Sequence, residues 1–197
     1  MIEFAQTCFF LLITPGPGVL SVAGVGSAFG FRAGFSYLWG LCLGNFAVGM
    51  AVATGLAVLL FTVPYLRNIL LFASIAYLVY LAAKIAFSGS KVALITPEKA
   101  PGFRNGITLQ AINPKAYAVN TTLFSGFNFM PDNYTLEVIF KVLILNAFWI
   151  PIHFLWLGMG VYLKALNLPP RAQSAINITM AISMLIVVAL AFGSQPG

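Results

Sequence analysis

Charge is what this 197-residue chain has least of. It carries ten Lys or Arg, four Asp or Glu and one His. Charged residues make up 7% of the sequence, where a soluble domain has about 25%. A water-facing surface cannot be assembled from so few charges over a sequence that is 60% hydrophobic. A soluble enzyme is excluded on that ground. A nucleic-acid binder is excluded as well, because a net charge of +6 spread along the chain makes no phosphate-binding patch. Cysteine is nearly absent too. Cys8 and Cys42 both fall within apolar stretches, where they read as small packing residues rather than a disulfide or a metal pair. With one His and so few acids, neither a catalytic constellation nor a metal site is expected, and no cofactor is implied.

What is present is long uncharged stretches. Residues 4–31, 33–66, 68–83, 142–163 and 172–197 carry no charge, and 105–131 carries only Lys115. A membrane-crossing helix needs about 20 apolar residues. Six spans follow, at 4–28, 36–61, 67–87, 106–126, 136–163 and 172–193. Runs such as Ile69-Leu70-Leu71-Phe72-Ala73 do not alternate, so the spans are helices, not barrel strands. The N-terminus, with Glu3 in place of a basic region, does not read as a secretory signal. The fold class expected is an all-α, multi-pass membrane protein.

Basic residues orient it. Arg32, Lys84, Lys91, Lys99, Arg104, Lys164 and Arg171 fall in the loops on one side, and Arg67 and Lys141 on the other. The richer side should be cytoplasmic, which puts both termini outside. Three spans lie in residues 1–88 and three in 106–197, joined by a cytoplasmic loop at 89–105. An odd number of spans per half makes the halves run in opposite senses, the inverted-repeat plan of many secondary transporters.

That plan predicts breaks at corresponding places, and the sequence has them. The first span contains Thr14-Pro15-Gly16-Pro17-Gly18, and the fourth contains Asn113-Pro114-Lys115. Each begins with a capping residue followed by Pro, the preference of a helix start. Pro15 lies 12 residues after Glu3 and Pro114 lies 10 after Arg104. At 1.5 Å per residue both sit roughly 15–18 Å deep, near the middle of a core about 30 Å thick. Broken backbone at that depth survives only where it is buried in protein or lines a cavity. Its free N–H groups attract anions, and Lys115 adds a full positive charge. The pair reads as a carboxylate receptor.

Other polar residues gather nearby. Gln110, Asn113, Tyr117 and Asn120 share one helix face by their 3-4-3 spacing. Asn45 follows Gly40 and Gly44 on the second span, where the glycines read as close packing. The candidate substrate-binding set is therefore Thr14, Pro15, Gly16, Pro17, Gly18, Asn45, Gln110, Asn113, Pro114, Lys115, Tyr117 and Asn120. Gly30-Phe31-Arg32-Ala33-Gly34 is echoed by Gly102-Phe103-Arg104-Asn105-Gly106, and both read as turns with headgroup anchors. His153 reads as a packing residue, and Glu137 with Lys141 as a pair on a helix surface.

The TPGPG break, G-F-R-A-G, Gly40 with Gly44, the Y-L-V-Y-L-A-A-K run ending the third span, F-R-N-G and N-P-K-A together resemble the LysE/RhtB amino-acid exporters from about residue 10 to 118. The resemblance implies a six-span protein of the bacterial inner membrane that exports amino acids, generally by the proton motive force. It favours the RhtB-like type, with neutral amino acids, homoserine or threonine as cargo. The partners implied are a small amino acid and the lipid bilayer, with room for a homo-oligomer. Gly18 and Asn45 stand where many members carry Asp or another polar residue, and no carboxylate remains deep in a span. The cargo should then be neutral rather than basic, leaving His153, Glu3 or the substrate itself to carry a coupling proton.

Overall fold

The computed structural model describes residues 1–56, 64–86 and 100–193, and these fold into eight helices. They are α1 (Ile2–Ile13), α2 (Pro17–Phe29), α3 (Phe31–Ala53), α4 (Pro64–Ala86), α5 (Phe103–Ile112), α6 (Pro114–Ser125), α7 (Tyr134–Ala165) and α8 (Pro170–Gly193). Among the described residues, α3 and α7 are long and apolar enough to cross a membrane. So is the pair α1–α2, which bends by 48° at its break.

The first expected span is thus two helices, and so is the fourth, which divides into α5 and α6 at Asn113. The second departs from expectation. It starts at Phe31 rather than 36, because Gly30 takes a positive φ of 88° and turns the chain at once from α2 into α3. Its helix ends at Ala53, where Thr54 and Gly55 (φ 77°) close it. Residues 57–63 lie outside the described region, as do 87–99, which hold most of the expected loop.

Large apolar side chains point outward. Phe10, Ile69, Phe72, Leu143 and Leu155 are all exposed. Between hydrocarbon and such a surface the hydrophobic effect gives helices little reason to associate, so close packing must hold them together. Glycine supplies it. A Cβ on Gly40 would run into the Phe103 carbonyl, one on Gly106 into the Tyr37 carbonyl, and one on Gly160 into the Ala23 carbonyl. Gly40 and Gly106 press α3 onto α5, while Gly160 with Gly26 presses α7 onto α2.

The buried apolar side chains form two main groups. One gathers Val22, Val25, Tyr37, Leu38, Leu41, Leu78, Leu81, Ile85, Leu109, Trp149 and Leu157. The other gathers Phe4, Cys8, Val119, Leu123, Phe124 and Leu145.

Glu137 and Lys141 are not on a helix surface. Their side chains are buried and 2.6 Å apart. Glu137 Oε2 accepts from the Phe129 and Met130 amides at 2.9 and 2.6 Å. Lys141 Nζ donates to the Phe124 and Phe127 carbonyls at 2.9 and 2.6 Å. The pair folds the α6–α7 connection back over the bundle, where Phe127 and Phe129 meet the Phe4 ring edge-on. A buried pair persists only when its remaining donors and acceptors are met, and here the connection's backbone meets them.

Candidate functional site

The two breaks face each other. Thr14 ends α1 in extended conformation, and its Oγ1 donates back to the Phe10 carbonyl at 2.8 Å. Thr14 therefore closes a helix, whereas the sequence suggested that it opens one. The new helix begins two residues later, with Gly16 as its cap and Pro17 at its first position. At the second break the expectation is met in form. Asn113 caps α6, accepting from the Lys115 amide at 3.1 Å, with Pro114 next.

Lys115 crosses from the second break to the first. Its ammonium donates to the Thr14 carbonyl at 2.5 Å and, longer, to the Pro15 carbonyl at 3.5 Å. These are carbonyls that α1 leaves without helical partners, at the negative end of its dipole. The stem lies over Gly16, where a Cβ would stand 2.7 Å from Cδ and 3.1 Å from Nζ. Gly16 thus allows this closeness, since a Cβ there would push the lysine stem aside.

A small cavity of about 50 Å³, partly continuous with the outside, opens between these breaks. Its polar wall is Thr14, Gly16, Gly18, Asn45, Gln110, Asn113, Lys115 and His153, and its apolar wall is Leu11, Leu12, Val19, Ala116, Val119 and Trp149. Seven of the expected residues are brought together there. Pro15, Pro17, Pro114, Tyr117 and Asn120 are not part of the wall. Pro17 and Pro114 start helices beside it. Tyr117 turns its hydroxyl to the Ala111 carbonyl at 2.8 Å. Asn120 is fully buried behind the wall.

The hydrogen bonds fix which way each amide points. The Lys115 amide can only donate, so the atom of Asn113 that receives it is oxygen. The Asn113 NH₂ then donates to Gln110 at 2.8 Å, which makes the accepting atom Oε1 and leaves the Gln110 NH₂ uncommitted. The same reasoning runs through the other pair. The Ala116 carbonyl can only accept, so Asn120 gives it an NH₂ at 2.8 Å and gives the same NH₂ to Asn45 Oδ1 at 3.1 Å. Asn45 is left with its NH₂. Gln110, Asn45 and Lys115 therefore all present donors, which suits an anion. Among the described residues Asn120 Oδ1 has no hydrogen-bond partner; it is buried against Gly49.

Sequence reasoning left His153 out of the substrate-binding set, reading it as a packing residue and one possible proton carrier, yet it lines the cavity. It stacks on Trp149 with ring centroids 3.4 Å apart, and its Nδ1 lies 2.8 Å from the Trp149 carbonyl. Its Nε2 side abuts Gly18, where a Cβ would stand 3.3 Å away. The i,i+4 spacing from Trp149 was visible, but nothing in the sequence said that the ring would face Gly18.

A multi-helix apolar bundle with paired helix breaks around a polar cavity is the form of a membrane translocator. The chain matches the LysE type translocator family over residues 9–195 and belongs to that family. It is a multi-pass protein of the bacterial inner membrane, not an enzyme. It is 33% identical to a cysteine/O-acetylserine efflux protein of Salmonella paratyphi A over 136 residues, 68% of either chain. It is 30% identical to a leucine efflux protein of Salmonella choleraesuis over 123 residues, covering 60% of this chain and 58% of that one. A leucine efflux protein of Klebsiella pneumoniae is 27% identical over 124 residues, again 60% and 58%. No solved structure matches.

Proposed function

We propose that this protein exports small neutral amino acids, by alternating access of two inverted three-helix repeats around the cavity between its breaks. The observation that carries the proposal is the cavity wall. It offers three donors, on Lys115, Gln110 and Asn45, and no carboxylate. A substrate carboxylate fits such a wall, and a second positive charge on the cargo would find no counter-charge. Cysteine, O-acetylserine and leucine, the cargoes in the relatives' names, are all neutral overall. Homoserine and threonine belong to the same class.

Lys115 has three N–H groups, and the Thr14 and Pro15 carbonyls take two of them. The third is available to a carboxylate without undoing the link between the breaks. Leu11, Leu12, Val19 and Trp149 give a small side chain an apolar neighbour.

The helix pairing supports the inverted repeat. Exchanging the halves turns the contact of α2 with α7 into that of α5 and α6 with α3, and the contact of α4 with α8 into itself. These are among the most extensive contacts in the molecule. In this arrangement the arginine-bearing Gly30–Gly34 and Gly102–Gly106 turns face the cytoplasm and both termini face out.

The test is export from proteoliposomes preloaded with radiolabelled L-leucine or L-cysteine. Lys115→Ala is expected to lower export at least tenfold, consistent with loss of a charged hydrogen bond of roughly 1.5–3 kcal/mol. Unchanged export by a folded variant would remove Lys115 from the site.

A further inference from the structure

The cavity has donors for a carboxylate, but a zwitterion has a second end. Its ammonium needs an acceptor. Asn45 Oδ1 already receives the Asn120 amide, Gln110 Oε1 receives Asn113, and Asn113 Oδ1 receives the Lys115 amide. The Thr14 carbonyl holds the Lys115 ammonium, and the Tyr117 hydroxyl is turned away.

Each of these oxygens already has one lone pair engaged, whereas one ring nitrogen on the wall is engaged by no donor among the described residues. The Trp149 carbonyl cannot donate, so the Nδ1 that faces it at 2.8 Å carries the ring proton. The neutral ring therefore has a bare lone pair on Nε2. Nε2 has no partner among the described residues. It lies beside Gly18, and both residues line the cavity.

The spacing suits one small molecule. Lys115 Nζ sits over Gly16 and His153 Nε2 beside Gly18. The Cα atoms of residues two apart are separated by no more than about 7.6 Å, two virtual bonds of 3.8 Å. The two nitrogens therefore flank one short stretch of backbone, where a single small molecule can meet both.

We propose that His153 Nε2 is the acceptor for the substrate ammonium and, when substrate is absent, the site of the counter-transported proton. The inference rests on the export reading above. One lone pair cannot hold both. When the ammonium enters, the Nε2–H bond of the imidazolium breaks and its proton leaves to water. A substrate N–H then donates to Nε2, and no covalent bond forms to the substrate. Each cycle exports a zwitterion of no net charge and admits one proton, so it moves one positive charge inward.

Charged and titratable groups around His153 are few. Lys115 of α6 shares the cavity, and α2 carries none. Tyr37 of α3 donates to Ser21, Cys8 of α1 and Cys42 of α3 sit in apolar packing, and Tyr117 of α6 faces Ala111. Two like charges, on Lys115 and a protonated His153, would then share the empty cavity. That repulsion loosens the proton's hold, and the arriving ammonium, a third positive charge, favours its release.

His153 is the only histidine in the chain, so ¹⁵N-histidine labelling gives one imidazole to read. At high pH the full-length protein in detergent should show the neutral tautomer with Nδ1 protonated, lowering the pH should protonate Nε2, and saturating L-leucine or L-cysteine should move the Nε2 resonance. In proteoliposomes, His153→Gln should keep measurable amino-acid counterflow. It should lose the roughly tenfold accumulation that one pH unit supplies at one proton per substrate. Wild-type protein that shows no counterflow with any neutral amino acid overturns the export reading, and this inference with it. Counterflow in the wild type with an unmoved imidazole overturns the inference alone. So does pH-driven accumulation that survives in the glutamine variant. Should that variant fail to fold, the wild-type titration decides the matter.

Discussion

Lys115 is a half-buried cation that is never without company: the helix break opposite it supplies two carbonyls. That is how a full charge is held within apolar surroundings, and it makes the lysine both a structural tie and a receptor. The amides beside it are held as firmly. Each has one end committed, so chemistry that reverses the free end should be felt. Asn45→Asp and Gln110→Glu exchange a donor for a carboxylate facing the same cavity. Each is expected to weaken binding of neutral amino acids about tenfold or more, through repulsion of the substrate carboxylate. Isothermal titration or scintillation proximity binding would read this. Glu137 gives a contrasting case away from the cavity. Glu137→Ala leaves the Lys141 ammonium and two backbone amides short of an acceptor, with an expected cost of roughly 1.5–3 kcal/mol. A lower apparent melting temperature should accompany it. The residue scale is also where the sequence was least legible. Asn45 was recognisable as a cavity residue, but which end of its amide faces inward depends on Asn120, 75 positions away. Glu137 and Lys141 gave the pattern of a solvated helix pair, because the connection that folds over them leaves no periodic trace. His153 had no partner in the sequence to mark it.

At the scale of elements the breaks were readable because proline and the capping residues act locally. Asn113 needs only Pro114 and Lys115 to cap a helix. Thr14 carried the same local signal, yet the second proline of the motif, Pro17, took the first helical position. Two prolines in a row of five offered two starts, and the sequence alone did not choose between them. The early start of α3 escaped notice because it depends on the positive φ of Gly30, and a glycine permits that angle without requiring it. Glycine also separates two kinds of helix contact. A Cβ on Gly40 would strike the Phe103 backbone, which cannot step aside. A Cβ on Gly24 would meet the Cδ1 end of Ile85 at 2.6 Å, and that end can turn. Gly40→Ala should therefore cost about 1–3 kcal/mol by overpacking, and Gly24→Ala clearly less. Thermal unfolding of the two variants in detergent, side by side, would order them.

For the whole molecule, the scarcity of charge was enough to define the class, since no arrangement of 14 charged residues wets such a chain. The helices were recovered to within a few residues at most ends because charges and turn residues bound the long apolar runs. The orientation can be read directly. With Cys8 and Cys42 replaced by Ser and a cysteine added at either terminus, a membrane-impermeant maleimide should label both positions in intact cells with a permeabilised outer membrane. Protection of either terminus would contradict the arrangement with both ends outside. What could not be read from the sequence is how much of the site belongs to neither half. The lysine stem rests on Gly16, across 99 residues of sequence (115 − 16). Any change that gives position 16 a side chain takes the room of the cation. The two positions are therefore tied in descent: a methyl group gained at 16 would push the lysine stem at 115 aside and loosen its hold on the opposite carbonyls.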